Sequence, residues 1–430
     1  MKNVKELQTI EETLKYLQFD NWEQSAPGLA RSRELLGLLG NPEQKLKFVH
    51  IAGTNGKGST AAMLASVLQR AGYRTGLYTS PHLLRFHERM RVNGEEIDDK
   101  SLISLTNTVR NAAEQMSEMP TGFEIMTAIA FLYFVQERCD IVSLEVGLGG
   151  RMDSTNVIPA PEVCVVANIG LEHTAILGDT VEKIAAEKCG IIKHGSHAVL
   201  FGQSEGVENV AREKCAREGV ALTITAQEKL ERISSSLDGQ VFKYRGRGPY
   251  HLRLLGEYQL LNALTVIDVC SALRSRGWDK LTDEAIDEGL SHAQWPGRLE
   301  LLRRRPDFIV DGAHNPQCVD ALMDSLTALY SDKKLIFLTG VLRDKDWQQM
   351  LRRALPLAKA FVVITPPSAR ALDENELAAW LNARGVQAIP AKDTDDGVRR
   401  ALELAGEDDA ICSWGSLYFT GEVRRVLTEH

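Results

Sequence analysis

One stretch, Gly53-Thr54-Asn55-Gly56-Lys57-Gly58-Ser59-Thr60, decides the fold of the amino-terminal part of the chain. An apolar run at 48–52 precedes it, and a helical pattern at 60–68 follows it. A strand, a glycine-rich turn and a helix in this order form a phosphate-binding loop, because glycine lets backbone N–H groups face an anion and the helix directs its positive end to the same place. Lys57 is placed to reach the β- and γ-phosphates, and the two hydroxyl residues that end the stretch offer an oxygen to Mg²⁺.

Length and composition indicate a globular protein with more than one domain. The chain has 430 residues, of which 44% are hydrophobic and 25% charged. Its net charge of −8 argues against a nucleic-acid partner, which usually meets a basic surface. The longest apolar stretch, 125–135, is too short to cross a bilayer. Seven cysteines without a Cys-x-x-Cys pair are typical of reduced thiols. We therefore predict a cytoplasmic protein that binds neither nucleic acid nor membrane.

Strand and helix patterns alternate along most of the chain, which predicts an α/β fold with mostly parallel sheets. The break at Trp295-Pro296-Gly297-Arg298 separates two such alternations. We predict an N-terminal P-loop ATPase domain at 1–296 and a smaller, Rossmann-like C-terminal domain at 297–430. The predicted strands after the first are 75–79, 140–146, 163–169, 308–311, 335–339, 361–365 and 410–413.

Polar residues follow several of these strands, where ligands of parallel sheets bind. Glu145 interrupts an apolar strand, and a charge there is costly unless it is paired or bound to a metal, so we interpret it as a Mg²⁺ ligand or a residue that positions water. Taken singly, Ser80 is equally a turn residue, His173 a structural histidine and Lys188 a surface lysine. The residues alone leave these three interpretations open.

A second polar stretch, Asp311-Gly312-Ala313-His314-Asn315-Pro316, follows a predicted strand of the C-terminal domain. Asp311 is able to accept hydrogen bonds from a ribose or a base, and His314 is able to reach a phosphate or an anionic substrate. A helix cap at Asn315, with proline in the first helical position, explains the same stretch. Arg298 also suits an anion.

Together these pieces resemble folylpolyglutamate synthase and dihydrofolate synthase, within the Mur-ligase superfamily. The resemblance runs from about residue 28 to the C-terminus and rests on motifs in a fixed order. These are Gly53–Ser59, Ser80-Pro81-His82-Leu83 with Glu88-Arg89, Phe123–Ala128, Leu144–Asn156, Glu187–Ile191, Gln259 with Asn262-Ala263, Trp295–Arg298, Asp311–Pro316 and Gly415–Tyr418.

The resemblance implies an ATP-dependent ligase that adds L-glutamate to a folate or to dihydropteroate through an acyl phosphate. It implies two Mg²⁺ sites, is compatible with a monovalent cation, and leaves a monomer as the default. ATP-binding residues implied are Asn55, Gly56, Lys57, Gly58, Ser59, Thr60, Asn262, Arg298 and Asp311. Implied metal ligands are Ser80, Glu145, His173 and Lys188, the last as a carbamate. Catalytic roles fall to Lys57, Glu145, His173 and Lys188. Implied substrate-binding residues are Pro27, Gly28, Arg89, Thr121, Gly122, Phe123, Glu124, Met152, Asp153, Ser154, His314 and Ser416.

Two other interpretations compete with this one. A Mur-type cell-wall ligase shares the superfamily, but the stretches at 80–83 and 123–127 are of the folate type. A P-loop switch protein would not need the stretch at 311–316. The sequence leaves open whether the activity covers dihydropteroate as well as folates.

Overall fold

A computed structural model of the chain describes residues 6–17 and 28–428. Pro27, predicted to lie on the substrate side, is outside these residues. The chain divides into two compact units. The first unit comprises Met1–Glu231, Lys243–Tyr250 and Leu261–Ala293. The second comprises Arg232–Phe242, His251–Leu260 and Gln294–His430.

Helices and strands alternate through most of the described residues. The helices are α1 (Ile10–Leu17), α2 (Ala30–Leu38), α3 (Lys57–Arg70), α4 (Asp99–Ala113), α5 (Gly122–Gln136), α6 (Thr174–Leu177), α7 (Val181–Lys188), α8 (Glu205–Glu218), α9 (Glu257–Arg274), α10 (Asp283–His292), α11 (Pro316–Leu329), α12 (Trp347–Ala354), α13 (Glu374–Asn382), α14 (Thr394–Leu404) and α15 (Leu417–Thr428). The strands are β1 (Phe48–Ala52), β2 (Thr75–Tyr78), β3 (Met90–Val92), β4 (Glu95–Glu96), β5 (Ile141–Glu145), β6 (Val163–Val166), β7 (His197–Leu200), β8 (Ala221–Ile224), β9 (Leu230–Ser236), β10 (Gly239–Tyr244), β11 (Arg247–Leu252), β12 (Glu300–Arg303), β13 (Asp307–Val310), β14 (Leu335–Thr339), β15 (Ala358–Val363), β16 (Ala388–Pro390) and β17 (Ala410–Trp414).

The first unit is built on an eight-stranded sheet of order β4-β3-β2-β5-β1-β6-β7-β8. The strands from β2 to β8 in this order pair in parallel, whereas β3 pairs antiparallel with both β2 and β4. Strand β5 shows that helices cover both faces. Val142 and Leu144 pack in an apolar core with α4 and α5, whereas the hydroxyl of Ser143 donates to the backbone oxygen of Ala61 in α3 at 3.0 Å. Burial on both faces explains the nearly continuous apolar character of these strands.

The second unit is built on a six-stranded sheet of order β12-β13-β17-β14-β15-β16. All pairs are parallel except β12–β13. Phe337 and Phe361 pack in one core with α11, α12 and α13. Their neighbours Ile336 and Val362 pack on the other face with α14 and α15. Each unit is therefore a layered α/β structure, and the predicted fold class is confirmed.

Two further observations concern the cysteines and the helices. All seven cysteines are free, and six of them are buried. Among the helices described, none combines the length and the apolar character that a membrane span needs.

Candidate active site

The glycine-rich stretch joins β1 to α3 in the centre of the first sheet. Gly56 has a left-handed φ of 83°, and α3 begins directly after it at Lys57, earlier than the predicted start at residue 60. A Cβ on Gly56 would lie 2.6 Å from Oδ1 of Asn262, so the turn has no room for a larger residue. The backbone N–H of Thr54 donates to the oxygen of Asn168 at 2.8 Å, which fastens this loop to the segment after β6. A helix N-terminus without a side-chain cap, held in this way, suits a phosphate group.

Two lysines meet at one carbonyl of this loop. Nζ of Lys57 donates to the oxygens of Gly53 at 2.9 Å and Thr54 at 3.0 Å. Nζ of Lys188, at the end of α7, donates to the same Gly53 oxygen at 2.7 Å. Lys188 is 4% exposed, so its interpretation as a surface lysine is wrong.

The surroundings of Lys188 favour its uncharged form. Burial lowers the pKa of Lys188 to about 7, and the positive charge of Lys57 acts in the same direction, while Glu172 and Asp153 oppose them. The lowered pKa leaves more of the Lys188 amine unprotonated at neutral pH than an ordinary lysine would have. An unprotonated amine is the form that reacts with CO₂ to give a carbamate, since the ammonium ion has no lone pair.

Glu145, the last residue of β5, lies next to Ser80, which follows the end of β2. Glu145 is buried, and its Oε2 accepts the backbone N–H of Ser80 at 3.0 Å. His173 caps α6 in a left-handed conformation with φ 51° and is exposed. Across the described ranges, no three His, Cys, Asp or Glu side chains cluster as a metal site would require. The unmodified predicted set thus offers one carboxylate, and a carbamate on Lys188 would supply a second.

The residues predicted for the folate side lie on three segments. Asp153 is buried and caps the short 3₁₀ turn Ser154–Val157, whereas Met152 is 44% exposed. Phe123, at the start of α5, packs so tightly on Gly147 that a Cβ there would lie 2.5 Å from its ring. Gly28 begins the described part of the chain before α2.

Glu124, predicted to bind substrate, has contacts within its own unit. Its carboxylate accepts the backbone N–H of Thr121 at 2.7 Å in a capping box around Gly122. It also accepts Nε of Arg31 at 3.2 Å and the hydroxyl of Ser32 at 3.2 Å. These bonds tie α2 to the start of α5 and account for a carboxylate that is 4% exposed.

Arg89 is oriented by a neighbouring histidine. Its Nε donates to Nδ1 of His82 at 2.8 Å, and its guanidinium lies over the ring of Phe86. Burial lowers the pKa of His82 to about 4, with Arg89 acting in the same direction, so the imidazole is neutral and able to accept. Glu88 accepts the backbone N–H groups of residues 83–85 and holds this loop in shape.

The remaining predicted residues belong to the second unit, apart from Asn262. Oδ2 of Asp311 accepts the hydroxyl of Tyr258 at 2.8 Å and the N–H of Leu299 at 2.7 Å. Burial raises the pKa of Asp311, and the charge of Arg298 opposes this shift. His314 donates from Nδ1 to the oxygen of Gly312 at 2.8 Å. The side-chain oxygen of Asn315 caps α11, as one of the two interpretations predicted.

Ser416 stands apart from these satisfied groups. Its side chain is 1% exposed, and its Oγ has no hydrogen-bond partner in the described chain. It precedes α15, where unpaired N–H groups favour an anion. The predicted role in glutamate binding stays a prediction.

Known protein families match most of the sequence of this chain. Residues 51–270 match the Mur ligase middle domain, and residues 297–417 match the Mur ligase glutamate ligase domain. The chain is 35% identical over 418 residues to the dihydrofolate synthase/folylpolyglutamate synthase of Bacillus subtilis, covering 93% of this chain and 95% of that one. The chain belongs to the folylpolyglutamate synthase/dihydrofolate synthase family. E. coli FolC in complex with DHPP and ADP has a TM-score of 0.87 at 28% identity, covering 98% of each chain.

A second solved member of the folylpolyglutamate synthase/dihydrofolate synthase family bears on the metal. The bifunctional enzyme of Yersinia pestis, complexed with AMPPNP and Mn ion, has a TM-score of 0.85 at 29% identity. It covers 99% of this chain and 100% of its own.

Sequence reasoning missed several residues that hold the predicted site residues of each unit in place. Arg31 and Tyr258 hold the carboxylates of Glu124 and Asp311, and His50 and Thr155 lie behind Asp153. The sequence signal for His50 was its polar side chain inside an apolar strand, and Glu145 carries the same signal. Thr155 lies inside the motif Leu144–Asn156 but was given no role. Arg31 and Tyr258 left no local signal, since their partners lie 93 and 53 positions away.

Gly150 provides a test of how closely the loop after β5 packs on the end of α7. A Cβ at this position would lie 2.8 Å from the backbone oxygen of Glu187 and 2.9 Å from that of Lys188. We expect Gly150→Ala to destabilise the protein by about 1–3 kcal/mol and to lower ligase activity, because these carbonyls move Lys188 with them. Urea denaturation and turnover measure both effects.

Gly37→Ala is the matched control for this change. Gly37 is an exposed residue inside α2, and a Cβ added there would have no other heavy atom within 4 Å. We expect Gly37→Ala to raise the free energy of unfolding by up to about 1 kcal/mol, because alanine is the better helix former. Equal stabilities for the native protein and Gly150→Ala would contradict the close packing.

Proposed function

We propose that this protein is an ATP-dependent ligase that joins L-glutamate to a folate, and also to dihydropteroate. Membership of the family supports the ligase reaction, and the FolC complex with DHPP and ADP supports a folate-type acceptor beside a nucleotide. ATP and a divalent metal ion are the cofactors, with a second metal site formed when Lys188 is carbamylated. The monomeric state and the cytoplasmic location stay predictions.

The observation that carries the proposal is the meeting of Lys57 and Lys188 at the Gly53 carbonyl. A phosphate-binding loop alone needs only Lys57. A buried lysine whose pKa is lowered to about 7 beside it suits a carbamate, formed when the amine attacks CO₂ and releases one proton. The carbamate replaces a positive charge by a carboxylate next to the phosphate loop.

The residues of the chain then divide the reaction between them. The N-terminus of α3 and Lys57 hold the triphosphate and neutralise charge on the phosphoryl group that moves to the acceptor carboxylate. The resulting acyl phosphate is attacked by the amine of L-glutamate, phosphate leaves, and an amide remains. Asp153 and the segment at 121–124 hold the acceptor, and Arg89, His314 and Ser416 are assigned to glutamate.

The metal ligands proposed are Ser80, Glu145, His173 and the carbamate of Lys188. The set suits Mg²⁺, since Glu145 supplies a buried carboxylate beside Ile51 of β1 and a carbamate on Lys188 would supply a second one beside Gly53. When bound, the metal neutralises charge on the phosphoryl group being transferred. Asn262, Arg298 and Asp311 remain proposed nucleotide contacts.

Phosphate release from ATP tests the proposal directly. The protein is incubated with Mg²⁺ and L-glutamate, and dihydropteroate is compared with tetrahydrofolate as acceptor. We expect release with both acceptors, and none when glutamate is omitted. Release with tetrahydrofolate alone would restrict the activity to polyglutamate synthesis. ATP binding without release in either case would contradict the proposal and favour the cell-wall ligase or the switch protein.

A further inference from the structure

Asp153 is held by a chain of buried hydrogen bonds that leads back to β1. The hydroxyl and the backbone N–H of Thr155 both donate to Oδ1 of Asp153, the latter at 3.0 Å. Nε2 of His50 lies 2.8 Å from the hydroxyl oxygen of Thr155. His50 and Thr155 are both 0% exposed, so no solvent competes for these bonds.

The number of protons available decides which group donates in each of these hydrogen bonds. A carboxylate only accepts, so the single hydroxyl proton of Thr155 points to Asp153. The oxygen of Thr155 must then accept, and Nε2 of His50 must carry the donated proton. Burial lowers the pKa of His50 well below its usual value, with Lys193 acting in the same direction, so the ring is neutral and carries one proton. Nδ1 has no hydrogen-bond partner in the described chain, as this tautomer allows.

The other side of the same loop is held by Lys193, a partly buried donor. Nζ of Lys193 donates to the backbone oxygens of Asn156 at 2.8 Å and Ile158 at 2.6 Å. The N–H of Leu148 donates to Oδ2 of Asp153 at 2.9 Å. The carboxylate thus accepts from Thr155 and Leu148, and the hydroxyl of Thr155 is in turn held by His50, on the strand that ends at the phosphate loop.

We infer that His50 and Thr155 are positioning residues for the acceptor, acting through the carboxylate of Asp153. This inference rests on the proposed function, because it assigns Asp153 to the acceptor. Neither side chain reaches the substrate. Together they fix which lone pairs of the Asp153 carboxylate remain to accept hydrogen bonds from the acceptor substrate. They also connect Asp153 to β1.

Steady-state kinetics of four variants test the inference. Thr155→Val removes the hydroxyl at nearly constant shape, and Thr155→Ser restores it. His50→Leu removes the donor, and His50→Gln places an amide N–H near the position of Nε2. We expect Thr155→Val and His50→Leu to raise KM for the folate acceptor about tenfold, with KM for ATP changed less than about twofold. The two conservative variants should recover most of the loss.

A nuclear magnetic resonance measurement on the native protein covers the case in which a variant fails to fold. With ¹⁵N-labelled histidine, His50 should show the Nε2–H tautomer, and its signals should shift when the acceptor is added. The Nδ1–H tautomer, or signals that ignore the acceptor, would overturn the inference. So would a Thr155→Val enzyme with native KM for the acceptor, or with both KM values raised equally. A native protein without folate-dependent turnover would overturn the proposed function instead.

Discussion

Lys188→Ala is expected to lower kcat for folate-dependent ATP turnover by at least about 100-fold, because it removes the proposed carbamate and with it a carboxylate at the phosphate loop. A short-chain carboxylic acid added to this variant should restore part of the activity by occupying the vacated volume. Lys188→Arg should be as inactive as Lys188→Ala and should not be rescued, since a guanidinium keeps its charge and forms no carbamate. Turnover with and without added acetate or propionate measures these effects.

Lys183→Ala is the matched control, because Lys183 lies on the same helix with 63% of its side chain exposed and pairs with the exposed Asp179. It should retain native activity.

The carbamate can also be observed directly with ¹³CO₂. Since the pKa of Lys188 is about 7, the amine is charged below that pH and reactive above it, so the ¹³C signal should grow from pH 6 to pH 8, about one unit on either side. An unaffected Lys188→Ala enzyme would show that no carbamate is needed.

Lys57→Ala is expected to lower kcat by about 10³-fold, because no other side chain of the loop carries a charge to stabilise the phosphoryl group in transit. The Lys57→Ala substitution should also change the pKa of Lys188. The charge of Lys57 contributes to the lowered pKa of Lys188, so its removal should raise that pKa and move the onset of carbamylation to higher pH. Turnover and the ¹³CO₂ titration measure the two effects separately.

Lys47→Ala serves as the control for charge removal near β1, since Lys47 is 66% exposed and pairs with Glu162. It should change neither quantity. A Lys57→Ala protein that keeps the native carbamylation profile while losing turnover would contradict the electrostatic link between the two lysines. It would leave the role of Lys57 at the phosphates intact.

The parallel sheets could be predicted from sequence because burial on both faces leaves a strong local signal. Strand β1 has the predicted bounds, and β14 does as well. The β3–β4 edge shows the limit of this signal. Its turn, Asn93-Gly94, has both residues in the left-handed region, with φ 51° and 85°, and is marked in the sequence. Its strands, with two or three residues each, are too short for any periodicity.

For the candidate site, motifs supplied the predicted residues, but the contacts that hold these residues in place have no local signature in the sequence. The resemblance placed Lys188 in the site, but its burial and its contact with Gly53, which lies 135 positions away, have no local signature. Glu124 illustrates the converse. Its motif suggested substrate, whereas the bonds to Arg31 and Ser32 that explain its burial join segments 93 and 92 positions apart.

The central claim is that ATP activates the acceptor carboxylate as an acyl phosphate, and isotope transfer tests it most directly. The acceptor is prepared with ¹⁸O in its carboxylate and converted in the presence of ATP, Mg²⁺ and L-glutamate. Our account predicts that each amide formed leaves one ¹⁸O atom in the released inorganic phosphate, because that oxygen bridges carbon and phosphorus in the intermediate. Released phosphate free of ¹⁸O, or the appearance of AMP in place of ADP, would contradict it.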